Sequence, residues 1–427
     1  MESSVFQNGA MQLHTLSTKK FKTTTIAVYM QAPLKKETMA MRSLLAYVLQ
    51  SGTKTYPSTA SINQYLEELY GATLSVDVSK KGDYHILSFR LEVVNEKYLH
   101  HESDLLKKAM SFLGEIILHP LIENEAFHEK IVRQEKKAVI QRIEGIYDDK
   151  MKYAKQRLME EMFEDDPYGQ YLFGTKETVE AISPQALYDY YIKCLHEDRI
   201  DVFVVGDVTK EEVAPICEET FIFPNSKQRL LEQKIEKMSV FAREEKVIHE
   251  KEPVSQGKLN IGLWTNTTIK DQDYFTLQVF NGILGGFAHS KLFMNVREKA
   301  SLAYYAASYF ESYKGAMFVL SGIETSNYEQ ALMIIKEQLK AIEAGDITED
   351  ELLQTKELLK NQLLESTDIG IGMIELYYQM LLGKHVTTID EWTRKIENVT
   401  KEEIQQFAKK VTISTIYFLK GEEGGLK

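Results

Sequence analysis

The hydrophobic residues of this chain recur at two spacings, one typical of strands and one typical of helices. Residues 24–30 alternate apolar with smaller or polar side chains, which predicts a strand. The apolar residues of 38–50 recur at the i, i+3, i+4 and i+7 positions of an amphipathic helix. The same criteria predict a hairpin at 74–78 and 85–91, helices at 61–70, 102–118 and 124–145, a helix beginning at Ser183–Pro184, and a strand at 200–204.

The second half of the chain repeats this order of elements. A strand at 258–264 lies 234 residues beyond the first strand (260 − 26 = 234) and is followed by a helix at 274–284 that ends at Gly285–Gly286. A capping box at Thr400–Glu403 opens a late helix, and a strand at 413–419 follows it. The repeat predicts an α+β chain with domains at 1–224 and 253–427, and the charged segment 225–252 as linker and hinge.

Composition narrows the class of protein. The chain has 427 residues, with 51 Lys and Arg against 63 Asp and Glu, so its net charge of −12 argues against a nucleic-acid binder. No apolar stretch reaches the roughly 18 residues of a membrane span, and the N-terminus lacks the apolar core of a signal peptide. Two cysteines, Cys194 and Cys217, are too few for a cysteine-rich metal cluster. These features predict a cytoplasmic globular protein.

One stretch of the second half carries a specific motif. Residues 281–293 are NGILGGFAHSKLF and residues 297–304 are REKASLAY, while PYG stands at 167–169 and VVGDV at 204–208. In this order, the strings resemble the pitrilysin/insulinase metallopeptidase family, which includes mitochondrial processing peptidase. The resemblance implies two homologous α/β-sandwich halves of the LuxS/metallopeptidase-like kind, each with an antiparallel-rich sheet, that form half of a clam-shaped chamber.

The family's zinc motif is degenerate in this chain. The resemblance implies an H-x-x-E-H motif on the first helix and a third ligand, a glutamate, on a later helix. Counted back from the SGT at 51–53, the motif falls on residues 43–47, so that Ser43, Ala46 and Tyr47 occupy its three working positions. Without the family, these residues could simply be a helix face turned to solvent or to a strand.

The third-ligand position falls on Arg133 to within one helical turn, with Glu129 and Glu135 nearby. Zinc needs three ligands with lone pairs and a base that takes a proton from bound water, and Ser, Tyr and Arg do not make that set. We therefore expect no metal, no cofactor and no catalytic residue in this chain, with zinc carried by a partner.

Arg297 and Tyr304 are seven residues apart (304 − 297 = 7), the spacing of the family's substrate-binding Arg/Tyr pair. The resemblance implies that this pair binds the substrate carbonyl and stabilises the oxyanion. Without the family, an isolated Arg–Tyr pair is usually a surface contact. The pair and the degenerate zinc site together predict a non-catalytic, peptide-binding subunit of a heterodimeric processing endopeptidase.

The predicted partners are a zinc-bearing paralogue and a peptide substrate, with a homodimer possible for the isolated chain and neither nucleic acid nor membrane expected. Two other functions stay open. The first is a structural or interaction protein without a proteolytic role, like the core subunits of the respiratory cytochrome complex, which share this fold. The second is an active metallopeptidase that uses unrecognised ligands.

Overall fold

The computed structural model describes residues 2–8, 11–100, 104–224, 244–384 and 386–421. They form an α+β structure of two main sheets with packed helices, which confirms the predicted fold class. The strands, in chain order, are β1 (Glu2–Asn8), β2 (Met11–Ser17), β3 (Thr23–Pro33), β4 (Thr73–Lys81), β5 (Tyr84–Val94), β6 (Ile122–Glu123), β7 (Ala126–Phe127), β8 (Arg199–Gly206), β9 (Lys246–Lys251), β10 (Gly257–Trp264), β11 (Ala303–Glu311), β12 (Ala316–Ile323) and β13 (Thr412–Lys420).

The α-helices are α1 (Met39–Leu49), α2 (Thr59–Glu68), α3 (Leu105–Leu118), α4 (Glu129–Asp148), α5 (Lys150–Met162), α6 (Lys176–Glu180), α7 (Pro184–Glu197), α8 (Lys210–Thr220), α9 (Tyr274–Asn281), α10 (Tyr328–Glu343), α11 (Glu349–Ser366), α12 (Gly370–Gly383), α13 (Ile389–Glu397) and α14 (Lys401–Ala408). Residues Gly282–Gly286 and Phe293–Lys299 are π-helical. None of the described helices is long and apolar enough to cross a membrane.

The two main sheets share one strand pattern. The first has the order β1-β2-β8-β3-β5-β4, and the second, read in the matching direction, has the order β9-β13-β10-β12-β11. In each sheet, one pair is parallel, β2 with β8 and β9 with β13, and the remaining pairs are antiparallel. The strands therefore correspond one to one apart from β1, as the repeated sequence pattern predicts.

The described residues divide into two compact units whose boundaries differ from the predicted domains. The first unit contains residues up to 144, 171–224 and 366–378, and the second contains 145–170, 244–365 and 379–421. Helix α5 thus belongs to the second unit, although it precedes residue 224. The start of α12 belongs to the first unit, although it lies after residue 253. Each half of the sequence contributes a helical segment to the unit built mainly by the other half.

One end of the predicted linker, residues 225–252, forms a strand. Residues 225–243 lie outside the described residues, whereas Lys246–Lys251 forms β9, the edge strand of the second sheet. This end of the segment alternates between exposed and half-buried side chains, which is the burial pattern of an edge strand. The hinge role of the remainder stays a prediction.

Helix α12 covers a face of the first sheet that is not occupied by the helices of the N-terminal half. Even-numbered residues of β3 join the core with α1, and odd-numbered ones point to the other face. There, the Glu375 carboxylate accepts hydrogen bonds from Tyr29 Oη at 2.5 Å, Lys81 Nζ at 2.8 Å and Arg90 Nη2 at 3.1 Å. Burial acts to raise the pKa of Glu375, but Lys81, Tyr29 and Arg90 outweigh it and hold the pKa below its ordinary value.

Helix α5 makes the corresponding contact on the second sheet. Glu250 of β9 accepts hydrogen bonds from Tyr153 Oη at 2.5 Å and Arg157 Nε at 3.1 Å, both on α5, and from Tyr417 Oη at 2.8 Å. Gly262 of β10 leaves the space that α5 fills, because a Cβ there would lie 2.5 Å from Met162 Sδ. A tyrosine and an arginine thus converge on a glutamate in both units.

A buried ion pair fixes α1 within the first unit. Arg42 donates from Nη2 to Asp198 Oδ2 at 2.6 Å and to the carbonyl of Met30 at 2.5 Å. Both side chains are almost completely excluded from solvent. Asp198 caps the end of α7, so the pair joins α1, α7 and β3. A single buried charge without its partner would be strongly destabilising.

We expect Arg42→Met to lower the free energy of unfolding by about 3–5 kcal/mol, because it leaves Asp198 buried without its counter-ion. Arg42→Met combined with Asp198→Asn should recover part of the loss. The matched control is Lys107→Met, which removes an exposed pair with Glu219 and should cost less than about 1 kcal/mol. Denaturant unfolding of the four proteins measures these differences, and equal losses for Arg42→Met and Lys107→Met would contradict a structural role for the buried pair.

We also expect Gly370→Ala to destabilise the chain by about 1–3 kcal/mol, because an added Cβ would lie 2.2 Å from Thr25 Oγ1 on β3. Thr25→Ala in the same chain should relieve the clash. The control is Gly145→Ala in α4, where a Cβ meets nothing within 4 Å and helix propensity favours alanine. Melting temperatures that fall equally for both glycine variants, or for neither, would show that α12 does not pack on β3 in this way.

Candidate functional site

The three positions of the degenerate motif lie on α1, whose packing is fixed by Arg42. Ser43 is completely buried, and its hydroxyl donates to the carbonyl of Leu172 at 2.8 Å. Ala46 is also buried and has no side-chain atom that could bind a metal. The Ser43 hydroxyl is thus committed to the backbone, and Tyr47 is the residue of the three that reaches a partly exposed surface.

The residue of α4 whose guanidinium lies over Tyr47 is Arg142. Arg142 Cζ lies 5.4 Å from the ring centroid of Tyr47 and 5.1 Å from that of Phe173. Arg133 is exposed, and nine residues of helix rotate it by about 180° to the opposite side of α4. The assignment of the third-ligand position to Arg133, made to within one helical turn, stays a prediction.

Glu135 lies on the same side of α4 as Arg142, because seven residues are close to two helical turns. Its side chain is largely buried, with 7% of the residue exposed, and Oε1 is 3.0 Å from the Ser51 hydroxyl just beyond α1. Burial raises the pKa of Glu135 above its ordinary value, and the Ser51 contact opposes this. Glu129, at the start of α4, is exposed. Because Arg142 follows Glu135 by seven residues, the sequence alone could have indicated that both side chains lie on the same side of α4.

These side chains do not fit zinc. The site offers a hydroxyl bonded to a carbonyl, an alanine methyl, a phenol and a guanidinium, and the guanidinium has no lone pair to donate. Glu135 adds one carboxylate, whereas zinc needs three protein ligands. Burial raises the pKa of Tyr47, while Arg142 acts to lower it, so the phenol stays protonated at neutral pH. Among the described residues, no three His, Cys, Asp or Glu side chains converge as a metal site requires.

Arg297 and Tyr304 both lie in the second unit. Arg297 is in the π-helical segment Phe293–Lys299, with its guanidinium 4.6 Å from the ring centroid of Phe293 and its side chain 42% exposed. Tyr304 is 63% exposed, at a register shift near the start of β11. Such an irregularity turns a side chain away from the regular alternation of a strand.

The segment before Arg297 is held against β11 by close backbone packing. A Cβ on Gly285 would lie 2.6 Å from the backbone nitrogen of Ser308, and the Ser308 hydroxyl donates to Asn281 Oδ1 at 2.8 Å. Gly285 therefore serves close approach to the sheet. The helix continues as a π-helical turn and ends at Gly286, within the Gly285–Gly286 pair that the sequence predicts as its end.

We expect the purified chain to retain no stoichiometric zinc after incubation with zinc and dialysis, because the donor set on α1 and α4 lacks the ligands. Elemental analysis of the protein measures the metal content. One zinc per chain that disappears in Glu135→Ala or Glu129→Ala would show that other ligands have replaced the missing histidines.

Comparisons with known proteins agree with the motif. A family model described as "Insulinase (Peptidase family M16)" matches residues 42–176, and one described as "Peptidase M16 inactive domain" matches residues 181–359. A Bacillus subtilis protein described as "Probable inactive metalloprotease YmfF" is 44% identical, with 98% of this chain and 97% of that protein aligned. "Uncharacterized zinc protease YmxG" of the same organism is 27% identical over 71% of this chain and 72% of that protein.

A solved structure agrees as well. The crystal structure of a conserved protein from Enterococcus faecalis V583 superposes with a TM-score of 0.89 and 36% identity, covering 98% of this chain and 99% of that one. The family models follow one another in the same order as the two halves of the sequence. An identity of 44% over nearly the full length of both chains shows a family relationship and not only a shared fold. The resemblance inferred from residues 281–304 is therefore confirmed, and the chain belongs to peptidase family M16, the insulinase family.

Proposed function

We propose that this chain is a non-catalytic, peptide-binding subunit that completes a processing endopeptidase together with a zinc-bearing M16 paralogue. In this proposal zinc and its activated water belong to the partner, and Arg297 and Tyr304 contribute the substrate contacts. The chain works in the cytoplasm, on peptides, without nucleic acid or membrane. The pairing brings its C-terminal half to the partner's N-terminal half.

The zinc-motif positions and the Arg297/Tyr304 pair differ in their chemistry, and this difference supports the proposal. The positions that would hold zinc do not offer the three ligands it needs, whereas Arg297 and Tyr304 are exposed and make no strong hydrogen bond or ion pair with the residues that the structure describes. The nearest carboxylate oxygen to Arg297 Nε, on Glu298, is 3.7 Å away and belongs to a half-exposed side chain. A guanidinium and a phenol that served only the fold would be expected to bond within it.

Relatives support a division of labour. Bacillus subtilis contains both a relative described as probably inactive and a relative described as a zinc protease. The chain aligns over nearly the full length of the first and over about seven-tenths of the second. Two such proteins in one organism are what a paired enzyme of catalytic and non-catalytic subunits requires.

The chemistry assigned to the pair is electrostatic. During hydrolysis of a peptide bond, negative charge develops on the carbonyl oxygen, and donors aimed at that oxygen lower the barrier. Arg297 supplies a permanent charge with planar donors, and Tyr304 supplies a neutral hydroxyl. Neither group needs to gain or lose a proton during this step.

We expect Arg297→Ala and Tyr304→Phe to lower kcat/KM of the reconstituted enzyme by about 10²–10³, with the complex intact. The assay combines this chain with the zinc-bearing M16 protein of the same genome, a fluorogenic peptide mixture, and light scattering for assembly. Arg297→Lys should also lose rate, because lysine keeps the charge but not the planar donor geometry.

The matched controls are Arg394→Ala and Tyr98→Phe, which alter exposed side chains of the same types outside the proposed contact. They should leave the rate unchanged. Full activity in both Arg297 and Tyr304 variants would refute the divided site. Failure to associate with any zinc-bearing paralogue would favour a structural or interaction role instead.

A further inference from the structure

The guanidinium of Arg142 lies against two aromatic rings at the exposed end of the degenerate site. Its guanidinium lies 5.4 Å from the Tyr47 ring centroid and 5.1 Å from the Phe173 ring centroid, and the two rings are 6.2 Å apart. Phe173 is buried and contacts Tyr171 at 5.5 Å between centroids. We call Arg142, Tyr47 and Phe173 the arginine clamp. Aromatic faces restrict a guanidinium while leaving its N–H donors, which lie in its plane, free to bond.

The charge of the clamp is not neutralised by an ion pair. Arg142 is exposed. Within the part of the chain that the structure describes, no carboxylate forms an ion pair with it. The neighbouring Glu144 pairs instead with Lys176 at 2.7 Å, and the largely buried Glu135 contacts Ser51. Asp77 of β4 also acts on Tyr47 through its charge, but it is exposed. Arg142 therefore presents an exposed guanidinium that no described carboxylate neutralises by an ion pair.

The clamp has the chemistry of a carboxylate receptor. The planar fork of a guanidinium matches the two oxygens of a carboxylate, and Tyr47 of the same clamp carries a hydroxyl donor. A doubly charged phosphate fits less well, because Asp77 and Glu135 lie close enough to influence Tyr47. The arrangement therefore favours a carboxylate, which carries one negative charge and has both oxygens in one plane.

We propose that the arginine clamp binds a carboxylate of the peptide substrate, so that a guanidinium replaces the metal cation as the positive group of this site. The inference rests on the proposed peptide-binding function and names the group recognised. Two sources share this chemistry, namely the C-terminal carboxylate of a peptide and an internal Asp or Glu side chain.

The test is fluorescence anisotropy with four N-terminally labelled octapeptides of otherwise neutral sequence. One ends in a free carboxylate, one is its C-terminal amide, one is the amide with an internal Glu, and one is the amide with Gln in that place. We expect at least one carboxylate peptide to bind about tenfold or more tightly than its uncharged match. Tighter binding of the free acid identifies a peptide C-terminus, and tighter binding of the Glu peptide identifies an acidic side chain.

Arg142→Gln should abolish this preference, and Arg142→Lys should retain only part of it, since an ammonium lacks the planar fork. Arg133→Gln is the matched control, because Arg133 is an exposed arginine of the same helix on its opposite side. It should bind like the wild type. Circular dichroism and melting temperature verify that each variant is folded.

The outcomes separate this inference from the function on which it rests. Binding of all four peptides with equal affinity overturns the carboxylate site and leaves the peptide-binding function standing. A preference that survives in Arg142→Gln, or that disappears equally in Arg133→Gln, also overturns the clamp as its source. Binding of none of the peptides contradicts both.

Discussion

The central strand of each main sheet is buried on both faces, and this constraint governs the rest of the structure. Strand β3 is almost entirely buried, so its odd-numbered residues require a cover as much as its even-numbered ones do. The first sheet obtains that cover from residues 366–378 and the second obtains it from α5. Both covers contain polar groups that must be paired once buried, which explains why each contact centres on a glutamate with tyrosine and arginine donors.

The same packing determines what the degenerate site can be. Arg42 holds α1 against α7 and β3 by a buried charge pair, and Ser43 is bonded to the carbonyl of Leu172. Helix α1, on which the sequence predicts the degenerate motif, is therefore firmly fixed, although Ser43, Ala46 and Tyr47 do not suit a metal. Beside it, Tyr47 and Arg142 present a phenol and a cation.

Much of the fold follows from local sequence, because periodicity and capping are properties of neighbouring residues. The alternation in 24–30 predicts β3, Ser183 caps α7 through the Ala186 amide, and Thr400 with Glu403 forms the capping box of α14. The repeat itself predicts two equivalent sheets. Local patterns do not show which segment covers the second face of β3, since the Tyr29–Glu375 hydrogen bond joins residues 346 positions apart.

The site was predictable to a similar degree. The sequence predicts a degenerate motif on the helix that the structure shows as α1, and it places Arg297 and Tyr304 near one another along the chain. It could not show which residues of α4 face α1, because the rotation of α4 depends on how its residues pack against α1 and the 171–173 segment. The sequence also predicts the helix end at Gly285–Gly286, but it could not show the close approach of Gly285 to β11, which depends on the position of Ser308.

The exchange of helical segments also sets the order in which the chain can fold as it is synthesised. Strand β8 completes the strand set of the first sheet at Gly206, but its second cover ends at residue 378, which is 378 − 206 = 172 residues later. At about 5–20 residues per second, a ribosome needs roughly ten to thirty seconds to make that interval. Throughout it, the face of β3 that bears Tyr29 lacks its cover in the nascent chain. Because exposed apolar surface makes partly folded chains prone to aggregate, this interval is the time at which we expect the first unit to be most vulnerable.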